Sequence, residues 1–277
     1  MLGRMDTAQA GPAGRYEVAE LIACLRREGE RLAAAADRAT FAAPVPACPG
    51  WQVRDLLKHL GYVHRWAAGY VREQRTQWVD RLSEEEILTG GPSDDMLATW
   101  FRQGLAELVQ VLSAAGPETN CWTFLDAPSP VAFWARRQAH ETTIHRVDAE
   151  QSAAAAGAAG FADPPDIDPR FAIDGIDELI MGFLARDARR GRWDGPPAVL
   201  GIHAQDGAGG TAHWLMDAAP GRLAVARGTG PAGCDVTGPA ARLYLLLWNR
   251  AGLDGLAVGG DASQLTAFRT HHRVTWG

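Results

Sequence analysis

The sequence predicts a fold of class α plus α+β, in which an N-terminal four-helix bundle precedes a small C-terminal α+β domain. Apolar residues recur at helical spacing in four segments between residues 16 and 150. A stretch rich in Ala, Gly and Pro at residues 153–170 has too little apolar bulk to join a core. Beyond it, short strand patterns mix with helical ones. The 277 residues leave room for two domains of about 100–200 residues each.

The four predicted helices occupy residues 16–36, 52–75, 95–115 and 130–150. A connector with three prolines, residues 41–50, separates the first two helices, since proline disfavours helix in the residue before it. A charged link at residues 83–95 separates the second helix from the third. Pro130 suits the first turn of the fourth helix. Backbone N–H groups there have no acceptor within the helix, so the missing N–H of proline costs no hydrogen bond. These segments define a predicted bundle domain at residues 1–152.

The second half is predicted to hold a linker at residues 153–170 and an α+β domain at residues 171–277. Its predicted helices are residues 171–185 and 239–249. Its predicted strands are residues 198–203, 213–216, 223–227 and 234–237, the first two flanking a Gly-rich turn.

Composition and charge exclude several classes of function. The net charge of −6 and the pI near 5.7 argue against nucleic acid as a partner. No apolar run approaches the roughly 20 residues that cross a bilayer, and no secretory signal is apparent. Four scattered cysteines, none in a C-x-x-C pair, are expected to be reduced thiols and not metal ligands: Cys24, Cys48, Cys121 and Cys234. We therefore expect a cytoplasmic protein with small-molecule partners, either a monomer or a homodimer.

Glu141 and His145 form the strongest local signal for chemistry. Their i, i+4 spacing puts a carboxylate and an imidazole on one face of the fourth helix, although a surface pair has the same spacing. His59 lies beside the apolar stripe of the second helix, where it is either a core histidine or a third ligand. Facing helices of a bundle often build metal sites, and three ligands leave one position open. Asp148, one turn after His145, could fix its tautomer.

Other polar residues near these segments have weaker patterns. Asp55 precedes His59 by one turn and is either an outer partner of the site or a charge favoured at a helix N-terminus. His64 and His140 do not share a helical face with the three candidates, which predicts outer or surface positions. His271 and His272 are expected at an exposed strand end.

Two segments closely resemble the signature segments of the mycothiol-dependent maleylpyruvate isomerase family, within the DinB-like metalloprotein superfamily of four-helix bundles. They are CPGWQVRDLLKHLGYVHRW (residues 48–66) and RRQAHETTIHRVDAE (residues 136–150). A looser resemblance to the family's small α+β domain covers residues 238–268. The resemblance implies a divalent ion, usually zinc, bound by His59, Glu141 and His145. These are also the residues that the helical spacing favours.

The resemblance also implies a functional basic residue at Arg250, near the cofactor or substrate. Here Asn249 precedes Arg250, where the family more usually has glycine. Alternatively, Arg250 is a solvated cation at a helix C-terminus. The implied activity is addition of mycothiol to an electrophilic substrate, as an S-transferase or a cis–trans isomerase. Two alternatives remain, since two histidines and one carboxylate also bind non-haem iron, and a non-catalytic regulatory protein could keep the metal for stability.

Overall fold

A computed structural model describes residues 16–80, 82–161, 165–191 and 193–272. The described chain divides into two compact units. One unit, the bundle, holds Glu17–Asp166 together with the short segment Leu245–Gly252. The other unit, the sheet unit, holds Ile167–Tyr244 and Leu253–His271. The predicted class, helical bundle plus α+β sheet, is confirmed.

The four long helices of the bundle lie close to their predicted positions. Their bounds are α1 Val18–Arg38, α2 Val53–Arg72, α4 Asp94–Ala114 and α5 Pro130–Ala155. Each begins where a local signal favours a helix start, as Ser129 shows by accepting a hydrogen bond from the backbone N–H of Ala132 at 3.1 Å. Helix α5 continues into the segment interpreted as a linker, because residues 153–156 are all alanine, the residue with the highest helix propensity.

A short helix, α3 Glu84–Thr89, lies within the segment predicted as a charged link. Ser83 and Glu86 form a reciprocal capping box at its start, with Ser83 N–H donating to the Glu86 carboxylate at 2.8 Å. The sequence predicted only a charged link between two helices here, and the helix was missed. Since only Ile87 of this helix is buried, no apolar stripe marked it in the sequence.

Helices α2 and α4 pack closely where Gly61 of α2 lies against Trp100 of α4. A Cβ atom at Gly61 would lie 2.3 Å from the ring of Trp100, which is too close for any side chain. A core of Leu, Val, Ala and Phe fills the space beside this contact, including Leu56, Leu57, Leu60 and Phe101. The second helix is thereby fixed with His59 next to the core.

Helix α5 is buried on every side in its middle. Every residue from 137 to 150 is buried, including seven that are charged or histidine: Arg137, His140, Glu141, His145, Arg146, Asp148 and Glu150. Such residues are rarely buried unless they are paired. Arg146, for example, donates to Glu28 at 2.8 Å and to Glu150 at 2.7 Å. The charged residues of α5 are therefore stabilised by partners inside the protein and not by solvent.

A five-stranded sheet of order β3-β2-β1-β4-β5 organises the described part of the sheet unit. The strands are β1 Ala198–Gln205, β2 Thr211–Ala219, β3 Arg222–Arg227, β4 Cys234–Pro239 and β5 Ala257–Gly260. Strands β1 and β4 pair in parallel and the other neighbours are antiparallel. The remaining helices are α6 Pro169–Asp177, α7 Ala185–Arg189, α8 Ala240–Leu247 and α9 Ala262–His271, with π-helical Glu178–Leu184 between α6 and α7.

The C-terminal end of the described chain differs from the prediction. Neither β5 nor α9 was expected, because the sequence around them is rich in Gly and polar residues. His271 ends helix α9 and contacts Asp194, with its Nδ1 3.1 Å from Oδ1, while His272 is buried. The prediction that both lie at an exposed strand end was wrong.

One face of the sheet carries a hydrogen-bonded row of polar side chains. His203 and His213 lie directly opposite each other on β1 and β2, with their Nδ1 atoms 2.8 Å apart. His203 Nε2 lies 2.8 Å from Asp235 Oδ1 on β4. Gly201 makes room for this carboxylate, since a Cβ there would lie 2.2 Å from Asp235 Oδ1. We call these three polar residues the sheet triad.

Helix α8 ends at an unusual backbone angle. Asn249 has φ of 59°, in the left-handed region that glycine adopts most readily and asparagine more readily than other residues. The backbone N–H of Arg250 then closes back on the carbonyl of Leu245 at 2.7 Å. This geometry accounts for an asparagine where glycine is the more usual residue.

In the described part of the chain, no helix combines the length and the apolar character required to cross a membrane.

Candidate metal centre

Two helices bring three predicted ligands together. His59 lies on α2, and Glu141 and His145 lie one turn apart on α5. All three are buried, with exposed fractions of 2%, 7% and 8%. Because α2 and α5 pack against each other, the His59 side chain meets the face of α5 that carries both partners.

The ligand atoms of these residues converge on one point. His59 Nε2 lies 3.4 Å from Glu141 Oε1, and His145 Nε2 lies 3.8 Å from the same oxygen. The imidazole centroids are 5.2 Å apart. One donor atom from each residue falls within 4.8 Å of the other two, so this group could hold a metal ion. Two histidines and one carboxylate form a ligand set typical of catalytic zinc and of non-haem iron.

Asp148 is hydrogen-bonded to Nδ1 of His145, the ring nitrogen that does not face the site. Its Oδ2 lies 2.9 Å from His145 Nδ1, which fixes the ring and leaves Nε2 facing Glu141. The predicted hydrogen bond is therefore present. Asp55, the other predicted outer partner, instead accepts a hydrogen bond from the backbone N–H of Gln52 at 2.9 Å and caps helix α2.

Arg250 binds Asp148 through a two-pronged ion pair. Its Nε donates to Oδ1 and its Nη2 to Oδ2, each at 2.9 Å. A third nitrogen, Nη1, donates to the carbonyl of Trp248 at 2.9 Å. Arg250 belongs to the bundle unit with its partner and is only 15% exposed. The predicted functional arginine thus lies behind His145, joined to it through Asp148.

Opposed effects set the ionisation of the site. Burial raises the pKa of the Glu141 carboxyl, but the charge of Arg137 and hydrogen bonds from the two imidazoles hold that pKa well below its usual range. Burial raises the pKa of Asp148 too, and Arg250 and His145 outweigh this effect and lower it. Both carboxylates are therefore ionised at neutral pH.

The two imidazoles of the site differ in basicity. Burial lowers the pKa of His59, and the hydrogen bond to Glu141 only partly compensates. Burial also lowers the pKa of His145, but hydrogen bonds to Asp148 and Glu141 outweigh it and raise the pKa above 6.5. Of the two imidazoles, that of His59 is therefore the one for which a proton competes less with a metal ion.

Cys48 and Trp51, both in the segment between α1 and α2, flank the site. Cys48 Sγ lies 3.8 Å from Asp148 Oδ2 and forms a second possible ligand group with Asp148 and His145. Burial, followed by the Asp148 charge, raises the pKa of this thiol to about 12. The Trp51 ring lies 5.1 Å from the His59 ring and stacks on His145 at 6.5 Å. Neither neighbour was predicted, because an irregular connector has no periodicity that would orient its side chains.

The competing histidines are buried in the bundle. His64 and His140 are both fully inaccessible, so of the two predicted positions, outer or surface, the surface one was wrong. His64 Nε2 lies 2.9 Å from the hydroxyl of Thr142, which follows Glu141 on α5. Burial lowers the pKa of His64 to about 3, and it stays neutral.

Residues 22–150, which include all three converging ligands, match the family described as mycothiol maleylpyruvate isomerase N-terminal domain. This part of the chain is similar to that domain of the family. The resemblance read from the two signature segments is thus confirmed. None of the curated proteins matches the chain.

Solved structures extend the likeness beyond the N-terminal domain of the family. A crystal structure of the mycothiol-dependent maleylpyruvate isomerase is similar with a TM-score of 0.60 and 16% sequence identity. The match covers 88% of this chain and 93% of that one. A variant of that isomerase with one histidine replaced by alanine matches over the same shares, with a TM-score of 0.61 and 16% identity. At this identity the likeness shows that the fold is shared.

Proposed function

We propose that this chain is a cytoplasmic mycothiol-dependent metalloenzyme that adds the thiol to a small electrophilic substrate. The observation that carries the proposal is the convergence of His59, Glu141 and His145 inside a domain of the mycothiol maleylpyruvate isomerase family. The shared fold with an isomerase of that name supports cis–trans isomerisation as the reaction. Release of the thiol adduct would make the same site an S-transferase.

The donor set fits a divalent ion, and zinc best. Three protein ligands from imidazole and carboxylate are typical of catalytic zinc sites, which leave one position for water or substrate. The carboxylate on His145 Nδ1 is the outer partner that such histidines usually have. When bound, the ion would lower the pKa of a thiol at its open position and keep it as thiolate at neutral pH.

The remaining residues orient and shield the ligands. Asp148 accepts a hydrogen bond from the Nδ1–H of His145, so that the Nε2 lone pair points to the ion site. Arg250 holds both oxygens of Asp148 and keeps this carboxylate ionised. The Trp51 indole lies against both imidazoles and limits the entry of water from that side. Its Nε1–H donates to Glu84 at 3.0 Å, which fixes the ring.

The proposed isomerisation conserves atoms and electrons. The thiolate sulfur forms a bond to one alkene carbon, and the π pair moves to the carbonyl that activates the alkene. The former double bond can now rotate. Return of the electron pair then breaks the C–S bond and regenerates the thiolate and the trans alkene. If the carbanion is protonated instead, the adduct leaves as the product of an S-transferase.

Metal content and thiol reactivity, measured on tag-free protein, test this function. We expect about one zinc per chain by mass spectrometry, and a mycothiol-dependent change in the ultraviolet absorbance of an activated cis alkene such as maleylpyruvate. His213→Ala, in the sheet triad, serves as the matched control and should behave as the unchanged protein. Bound zinc without any reaction with mycothiol would contradict the proposal and favour a regulatory metal protein. Iron with substrate-dependent oxygen uptake would instead indicate an oxygenase on the same ligands.

A further inference from the structure

A buried arginine contacts the carboxylate of the proposed metal site. Arg137 lies one turn before Glu141 on α5 and has an exposed fraction of 3%. Its Nη2 donates to Glu141 Oε2 at 2.9 Å, and its Nε donates to the same oxygen at 3.2 Å. A cation beside the ligands of a cation is electrostatically unfavourable for metal binding. Its position therefore calls for an explanation other than affinity.

The two oxygens of Glu141 have different partners. Oε1 faces the imidazoles, 3.4 Å from His59 Nε2 and 3.8 Å from His145 Nε2. Oε2 accepts both hydrogen bonds from Arg137. Carboxylates can bind a metal through one oxygen or through both. Because the guanidinium engages Oε2, only Oε1 remains for an ion placed between the imidazoles.

Aromatic packing and helix geometry hold Arg137 in place. Its Cζ lies 5.3 Å from the centroid of the Trp248 ring, within the range of a cation–π contact. Trp248 belongs to the bundle unit, as Arg137 does. The i, i+4 spacing keeps the guanidinium and the Glu141 carboxylate on one face of a helix that is buried throughout this region. The arginine cannot turn to solvent without leaving this packing.

We propose that Arg137 is a positioning residue that makes Glu141 a one-oxygen ligand and so keeps a coordination position free for the thiol. This inference rests on the proposed metal-dependent function. The two hydrogen bonds also withdraw charge from the carboxylate, which makes it a weaker donor and the bound ion a stronger Lewis acid. Without Arg137, Glu141 would bind through both oxygens and fill the position that the thiol needs.

Cobalt(II) in place of zinc reports this coordination directly, because four-coordinate cobalt absorbs visible light more strongly than five- or six-coordinate cobalt. We expect the unchanged protein to give strong visible bands, and a sulfur-to-cobalt charge-transfer band in the near ultraviolet on addition of 2-mercaptoethanol. Arg137→Met should weaken the visible bands and reduce the charge-transfer band at equal cobalt occupancy. Arg137→Lys, which keeps the charge but not the planar fork, should fall between the two.

Arg146→Met is the matched control for loss of a buried arginine. Arg146 is also buried on α5 but contacts Glu28 and Glu150 instead of Glu141. Its replacement should leave both cobalt spectra unchanged. Circular dichroism confirms folding, and Arg137→Lys supplies the comparison if Arg137→Met does not fold.

Two outcomes overturn the inference, and they differ from failure of the proposed function. Identical spectra for the unchanged protein and the folded Arg137 variants would contradict the role of Arg137 and leave the metal site intact. Equal spectral changes in the Arg146 and Arg137 variants would show that replacing any buried arginine of α5 disturbs the cobalt site, whether or not it contacts Glu141. An unchanged protein that binds no cobalt would instead refute the metal-dependent function itself, and the inference with it.

Discussion

The bundle and the sheet unit each contain a cluster of two histidines and one carboxylate, but the two clusters differ in which atoms meet. In the bundle, His145 gives Nδ1 to Asp148 and turns Nε2 towards Glu141 and His59. In the sheet triad, His203 uses Nδ1 for His213 and Nε2 for Asp235. The first arrangement is convergent and the second is linear.

The difference lies in the backbone that carries each cluster. Helices place residues four apart on one face, so donors from facing helices meet at one point. Neighbouring strands place side chains in a row about 5 Å apart, so the central imidazole, that of His203, bridges two neighbours. Among the described residues, the groups that could hold an ion are His59–Glu141–His145 and Cys48–His145–Asp148, and the sheet triad is not one of them. Residue composition alone therefore does not define a metal site.

The largest expected effect is loss of the ion from a bundle variant. His145→Ala removes one of three ligands, and the affinity for zinc should fall by more than the roughly 10–100-fold typical of losing an outer partner. Competition with a chelator measures the dissociation constant. The matched variant in the sheet triad, His203→Ala, should leave zinc content and affinity unchanged. Equal zinc loss in both variants would contradict the distinction between convergent and linear clusters.

A smaller loss of zinc affinity is expected from a change at Asp148, the carboxylate that is hydrogen-bonded to His145. Asp148→Asn keeps the shape of the side chain but weakens its hydrogen bond to His145 Nδ1, so that zinc affinity should fall by about 10–100-fold. Asp235→Asn changes the equivalent partner of His203 and is expected to have no effect on zinc. The same chelator competition applies. Unaltered affinity in Asp148→Asn would mean that the ring of His145 is oriented by packing alone.

The smallest effect concerns the response of the sheet triad to acid. Burial lowers the pKa of His213 below 6.5, and the neighbouring His203 lowers it further. The folded state thus binds the His213 proton less tightly than the unfolded chain does. Stability from this group is fully present above pH 6.5 and decreases as the pH falls from there through the folded pKa. Nuclear magnetic resonance titration of the ring protons should give a value below 6.5, and a value at or above 6.5 would refute the shift.

The sequence was most informative where structure is periodic. The stripe of α2 and the i, i+4 pair of α5 made His59, Glu141 and His145 candidates for one site, because helical geometry determines which residues share a face. The family resemblance implied the same three residues. The same reasoning could have suggested Arg137, one turn before Glu141. Spacing alone, however, does not distinguish a buried arginine from a surface ion pair.

Contacts between distant segments were beyond sequence reasoning. Arg250 and Asp148 are 102 positions apart, and no local pattern links them. Their ion pair depends on the left-handed angle at Asn249, which redirects the chain at the end of α8. Cys48 reaches Asp148 across 100 positions from an irregular connector. Strand β5 and helix α3 were missed because their residues are mostly exposed and lack an apolar pattern. Helix α9 was missed because Leu265 and Phe268 are its only buried residues.

The complete burial of residues 137–150 also limits how this protein can diversify. A saturation library over this stretch of α5 should tolerate few substitutions, because each side chain is enclosed and the charged ones depend on a specific counterpart. Variation in substrate preference is then expected to accumulate in partly exposed segments such as the one between α1 and α2, which carries Cys48 and Trp51. Directed evolution towards a new electrophile would begin there and leave the central helix unchanged.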